Sequence, residues 1–335
     1  MSDSDSFSAD PRAAQARDWA CRVLGLGRAE FAPASADASF RRYFRLCAEG
    51  RSWIVMDAPP AHEDCRPFVH VAGLMRAAGV HVPDVLAQDL EAGFLLLSDL
   101  GTQTFLEVIG ESNAKDLFGA AIDALVAWQG ASRPGMLPEY DEALLRRELK
   151  LFPDWYLGRH LGVSLVAAEH EALESVFRRL VESALEQPRV YVHRDYMPRN
   201  LMLSQPNPGV LDFQDAVFGP IAYDPICLFK DAFLSWPAPL VAWGLRRYHE
   251  RAGRAGLPVP EWERFRSDCD WIGLQRHLKV LGIFARLTHR DGKPKYVADT
   301  PRFVRYVMDV APRYPKLAPL GTLFERHVLP RLDAA

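Results

Sequence analysis

The stretch 191–216, YVHRDYMPRNLMLSQPNPGVLDFQDA, holds the residues of this chain best suited to chemistry. Asp195 and Asp212 stand seventeen residues apart with Asn200 between them. Residues 190–192 are apolar and β-prone. HRDYMPRN carries a proline that discourages helix, and LMLS and GVLDF are further β-prone runs separated by the turn-rich QPNPG. The pattern predicts a loop followed by a hairpin. A hairpin returns its far end beside its start, so Asp212 should come to face Asn200. Carboxylate and amide oxygens are the hard ligands that Mg²⁺ accepts, and Mg²⁺ takes few protein groups alongside substrate phosphates. Asp195, five residues before Asn200, is placed to accept a proton from a hydroxyl. Together the three predict a phosphoryl-transfer centre.

Two kinds of element must position these residues. In the first hundred residues, the segments 43–47, 53–56 and 94–97 are short, apolar or alternating, and bounded by Gly, Asp or Pro, as strands are. One helix is predicted among them over 64–78, with Phe68, Val71, Ala72, Met75 and Ala78 on one face, before a further strand at 82–86. Beyond LSDLGT, helical periodicity takes over at 105–128, 141–157, 165–186, 228–249 and 271–287. The expected fold is α+β, with a sheet-rich N-lobe over 1–100 and a larger helical C-lobe over 101–335.

With 335 residues, 49% apolar and 25% charged, the chain has the composition of a soluble globular protein. A formal net charge of −3 gives no global pull toward nucleic acid or anionic membrane. Five scattered cysteines without a Cys-x-x-Cys pair fit reduced thiols, and the acidic, Ser-rich start does not read as a signal peptide. These features point to the cytoplasm and to no nucleic-acid or membrane partner; the oligomeric state stays open, with a monomer favoured.

The spacing His193-Arg194-Asp195, Asn200 and Asp212-Phe213 resembles the paired catalytic and metal-binding motifs of protein kinases. HRDYMPRNLM and GVLDFQDAVFGPIAYDP are more closely similar to the aminoglycoside phosphotransferase and choline kinase group. The stretches ADASFRRYFRL, WIVMDAPP, GFLLLSDLG and GLQRHLKVLGIFARLTHRDGK extend the likeness to the anomeric N-acetylmuramate/N-acetylglucosamine kinases of cell-wall recycling, over about 37–306. The resemblance implies a bilobal protein kinase-like fold, ATP and Mg²⁺ as cofactors, and an amino sugar phosphorylated at its C1 hydroxyl. Asp195 then takes the catalytic role, and Asn200 and Asp212 hold the metal.

The chain departs from the general kinase pattern in its N-terminal part. The phosphate-covering loop of kinases is Gly-rich, whereas SADASFRRYFR has no glycine, leaving small residues such as Ser39 for close approach. Where the third strand should supply a lysine, WIVMDAPP has Met56, and the next helix offers no matching Glu. Arg41 or Arg42 is therefore expected to supply the cation, since guanidinium binds phosphate bidentately, and Asp99 lies in the stretch 98–101 expected beside the adenine. His193 is expected to brace its loop by hydrogen bonding, and Asp224 to tie a helix to that loop.

Between positions 271 and 305, eight Lys or Arg oppose two acids, which would repel a polycationic aminoglycoside and attract a carboxylate. Arg199, Gln275, Arg276 and His277 are the candidate sugar contacts. The plainer expectation for this segment is a helix that buries Trp271, Leu274, Leu278, Leu281 and Ala285 and solvates its basic side. A kinase of another small alcohol (aminoglycoside, choline or homoserine) and a nucleotide-binding pseudokinase are the alternatives.

Overall fold

The computed structural model of the protein describes residues 10–35 and 40–332. In chain order the elements are α1 (Pro11–Leu24), β1 (Glu30–Ser35), β2 (Arg42–Ala48), β3 (Arg51–Asp57), α2 (Arg66–Ala77), β4 (Val85–Asp89), β5 (Phe94–Ser98), α3 (Phe105–Val108), α4 (Ala114–Gly130), α5 (Glu142–Leu149) and α6 (Ala167–Glu186). Then come β6 (Arg189–Val192), β7 (Leu201–Met202), β8 (Gly209–Val210), β9 (Val217–Pro220), α7 (Tyr223–Phe229), α8 (Ala238–Arg254), α9 (Trp262–His289), α10 (Thr300–Val310), α11 (Ala318–Leu323) and α12 (Leu329–Leu332). The described residues form two compact units, one drawn from 1–108 with 200–215, the other from 109–199 with 216–335.

In the first unit, five strands pair antiparallel in the order β1-β2-β3-β5-β4. Their inward residues Phe44, Leu46, Val55 and Leu96 are at most 4% exposed and pack with Ala13, Ala16 and Ala20 of α1. Helix α1 starts where the sequence supplies both devices for starting one: Asp10 accepts from the Arg12 and Ala13 amides, and Pro11 occupies the first turn. It stops at Gly25, whose φ of 67° suits a residue without Cβ. A buried carboxylate closes this unit. Asp57, fully buried at the end of β3, is bonded by the guanidinium of Arg12 at 2.6 Å and by that of Arg42. The hairpin β7–β8 belongs to this unit too, held by the bridges His81 to Gly209 and Thr104 to Met202.

In the second unit, α9 is the axis. It runs 28 residues, buried nearly all round between positions 268 and 287, and packs against α6, α7, α10 and the π-helical turn Phe152–His160. Gly282 permits a close approach, for a Cβ there would lie 2.3 Å from the Leu151 carbonyl carbon.

Several element boundaries differ from expectation, each for a local reason. The run 105–128 divides at a turn in which the Gly110 amide donates to the Asn113 side chain at 2.7 Å. The run 141–157 passes into a π-helix at Pro153, which has no N–H for the regular ladder. The run 228–249 breaks between Phe229 and Ala238, where SWPAPL brings two prolines together. The strand expected at 82–86 begins later, at Val85, beyond Pro83.

Candidate active site

The predicted hairpin forms. Leu201 pairs with Val210 and Met202 with Gly209, and the Leu211 amide donates to the Asn200 carbonyl at 2.9 Å. That closure sets Asn200 Nδ2 3.4 Å from Asp212 Oδ2. Asp212 is held with φ at 61°, a left-handed conformation that costs a non-glycine residue about 1–2 kcal/mol. What offsets this is next to it: Phe213 is fully buried, its ring 4.7 Å from that of Phe68 on α2, and burial of such a side chain contributes roughly 1.5–3 kcal/mol. Gln214 donates to Asp212 Oδ1 at 2.8 Å. An amide and a carboxylate thus converge, two oxygen-bearing groups that leave most of an octahedral shell to phosphate and water. That donor set fits Mg²⁺.

Asp195 stands on a loop with its own supports, all within the second unit. The fully buried Asp224, at the start of α7, accepts from the His193 amide at 2.7 Å and the Arg194 amide at 3.0 Å, as expected of it. Burial pushes the Asp224 carboxyl up to about 7, against those two amide bonds. His193 accepts the Asp195 amide at its Nδ1, 3.3 Å away, which fixes the proton on the other ring nitrogen. Arg194 also has a positive φ, 78°.

Arg194 is pinned by a group that sequence reasoning missed. Its guanidinium bonds the carboxylate of Glu148 on α5, which also receives Lys279 Nζ at 3.0 Å, Gln275 Nε2 at 2.9 Å and the Tyr140 hydroxyl at 2.5 Å. Burial raises the Glu148 pKa, but Lys279 and Arg194 outweigh it and hold the group at about 2. The available signal was Glu148 itself, a charge beside Leu145 and Leu149 on the apolar stripe of its helix, where an acid needs partners.

The remaining site candidates fall in distinct settings. Arg41 lies 3.2 Å from Glu63, while Arg42 is bonded to Asp57 and Asp10. Asp99 receives Arg45 Nε at 2.7 Å and the Gly101 amide at 3.0 Å; its pKa falls because these bonds outweigh burial. Ser39 lies outside the described residues. Arg199 is half-buried, its guanidinium 4.9 Å from the Phe233 ring. Gln275, Arg276 and His277 are at most 1% exposed, and Lys279 is 7% exposed, which corrects the picture of α9 as a helix with a solvated basic side. Gln275 serves Glu148, Arg276 donates to the Lys230 carbonyl at 3.2 Å, and the His277 ring lies 4.9 Å from that of Tyr306 with neither nitrogen hydrogen-bonded. Burial drives the His277 pKa well down, so the ring is neutral.

The model of the phosphotransferase enzyme family matches residues 30–267. The chain belongs to that family. This phosphotransferase is 62% identical over 296 residues, 88% of each chain, to the N-acetylmuramate/N-acetylglucosamine kinase of Pseudomonas aeruginosa. It is 48% identical, over 87% of this chain and 88% of the other, to a protein of the same name from Neisseria meningitidis. Among solved structures it resembles the choline kinase LicA of Streptococcus pneumoniae, with a TM-score of 0.60 at 14% identity over 89% and 99% of the two chains. An ADP-bound aminoglycoside phosphotransferase, APH(2'')-Ib, gives 0.59 at 12% identity over 88% and 97%. The expected α+β, kinase-like fold is thereby established. No helix among the described residues is long and apolar enough to cross a membrane.

Proposed function

We propose that this phosphotransferase moves the γ-phosphoryl group of ATP to the anomeric C1 hydroxyl of N-acetylmuramate or N-acetylglucosamine, in the cytoplasm, as a step of peptidoglycan recycling. The observation that carries the reading is the hairpin closure of Asn200 onto Asp212, in a chain 62% identical to a kinase of that name.

Asn200 and Asp212 would hold Mg²⁺, which when bound neutralises charge on the nucleotide phosphates. Asp195, on the loop that Asp224 and Glu148 brace, orients the C1 hydroxyl and receives its proton. As the C1 oxygen bonds the γ-phosphorus, the bond to the β-phosphate oxygen breaks and ADP leaves. With a loose transition state, positioning and charge stabilisation supply most of the acceleration. Arg41 is the cation we assign to the phosphates in place of the missing lysine. Arg42, engaged by Asp57 and Asp10, is assigned a structural role, and Asp99, engaged by Arg45, is kept for the nucleotide region. On the acceptor side, the half-buried Arg199 is the candidate for the lactyl carboxylate. Arg276, buried and within the field of Asp195, donates to the Lys230 carbonyl, and Gln275 acts through Glu148.

An ATP-consumption assay over N-acetylmuramate, N-acetylglucosamine, choline, homoserine and an aminoglycoside tests this. The proposal expects turnover with the two amino sugars; turnover with one of the other alcohols in their place would overturn it.

A further inference from the structure

Met56 occupies the β3 position from which a lysine would reach the phosphates, yet the geometry places a cation at nearly the same point of the sheet. Met56 pairs across the strands with Tyr43, and Arg41 lies two residues from that partner. The Arg41 Nε is 3.2 Å from Glu63 Oε2, with both side chains largely buried, 13% and 16% exposed. Its NH2 end lies 4.0 Å from Asp215, on the segment that carries Asp212. Burial disfavours the Arg41 charge, but the fields of Tyr43, Glu63, Asp215 and Asp212 outweigh it and raise its pKa. The guanidinium therefore points from Glu63 toward the arm of the metal-site hairpin.

Glu63 precedes α2 rather than lying on it, and its position is fixed by backbone. The His62 and Glu63 amides both donate to the Pro59 carbonyl, at 2.9 and 3.0 Å. The flanking residues repeat the contact: the Phe40 and His62 rings stack at 4.5 Å with 17° between planes. Two successive residues of one segment thus meet two of the other, which sets the approach angle of the arginine.

Building on the kinase reading, we propose that Glu63 is the positioning residue of the nucleotide site. It aims Arg41 at the β- and γ-phosphates, and the Arg41–Glu63 pair replaces the strand-lysine and helix-glutamate pair. A guanidinium can bond a carboxylate through Nε and meet a phosphate bidentately through its terminal nitrogens, a division of roles that an ammonium cannot make.

Calorimetric titration of the full chain with ADP and with AMP, in Mg²⁺ and without any sugar, tests it. ADP presents the β-phosphate and AMP does not. Glu63→Gln, of the same size, should weaken ADP about tenfold, the worth of one charge-assisted bond, and leave AMP unchanged. Placed in an Arg41→Gln background, it should weaken ADP by less than about twofold more, since both substitutions remove one interaction. Equal losses for AMP and ADP, no loss of ADP, or additive losses would each overturn the proposal. If Glu63→Gln does not fold, Arg41→Gln carries the same comparison of ADP with AMP. Wild-type protein that binds ADP while Glu63→Gln changes nothing sinks the role of Glu63 alone; wild-type protein that binds no nucleotide sinks the kinase reading with it.

Discussion

Replacing Glu148 by Gln removes a charge that two buried cations share and keeps the side chain's shape. In the folded protein this carboxyl titrates at about 2 against an ordinary 4.5. Each pKa unit is worth about 1.4 kcal/mol, so the gap corresponds to about 3 kcal/mol of stability. The loss of one partner from a buried ion pair, here leaving Arg194 and Lys279 unbalanced, is of the same size, about 3–5 kcal/mol. A carboxyl whose folded pKa lies below its unfolded value stabilises where it is ionised. The contribution is therefore complete above pH 4.5 and disappears as the pH falls toward 2. Urea unfolding followed by circular dichroism should place the Gln variant about 3 kcal/mol below wild type at neutral pH, with the difference shrinking through the acid range. Because Arg194 would lose its anchor beside Asp195, the folded variant should also turn over at least about tenfold more slowly. A variant within about 0.5 kcal/mol of wild type, or a difference that stays constant down to pH 3, would refute the reasoning.

Other outcomes follow from the same geometry. Asp195→Asn and Asp212→Ala should each nearly abolish turnover while the circular dichroism spectrum stays native, as rate assays on the folded variants would show. Arg42→Ala takes one of two guanidinium partners from the buried Asp57, so thermal melting should shift down with the Michaelis constant for ATP unchanged in folded protein. Asp224→Asn keeps the volume but removes one acceptor from the His193 and Arg194 amides, and kcat should fall roughly ten- to a hundredfold with nucleotide affinity retained, measured by steady-state kinetics.

What was legible in the sequence was whatever chain-local rules decide. The closure of Asn200 on Asp212 follows from two β-prone runs around QPNPG, and the bracing of the loop by Asp224 from an acid placed at a helix start. The partners of charges were not legible. Lys279 reads as one of eight basic residues on a solvated face, and only the packing of α9 against α5 puts it on Glu148. Glu63 was not legible as the partner of Arg41, because a paired acid is expected on the helix, whereas the turn before Arg66 supplies it. Proline also decided more than periodicity did: Pro153 and the pair Pro237 and Pro239 interrupt segments whose apolar spacing alone reads as continuous helix.

The most direct measurement is phosphorus NMR of the product made from N-acetylmuramate with ATP and Mg²⁺, run beside Asp195→Asn. The account predicts a sugar phosphate whose phosphorus couples to the anomeric proton, formed by the wild type and not by the variant. A phosphate on any other hydroxyl, or equal product from Asp195→Asn, would contradict it.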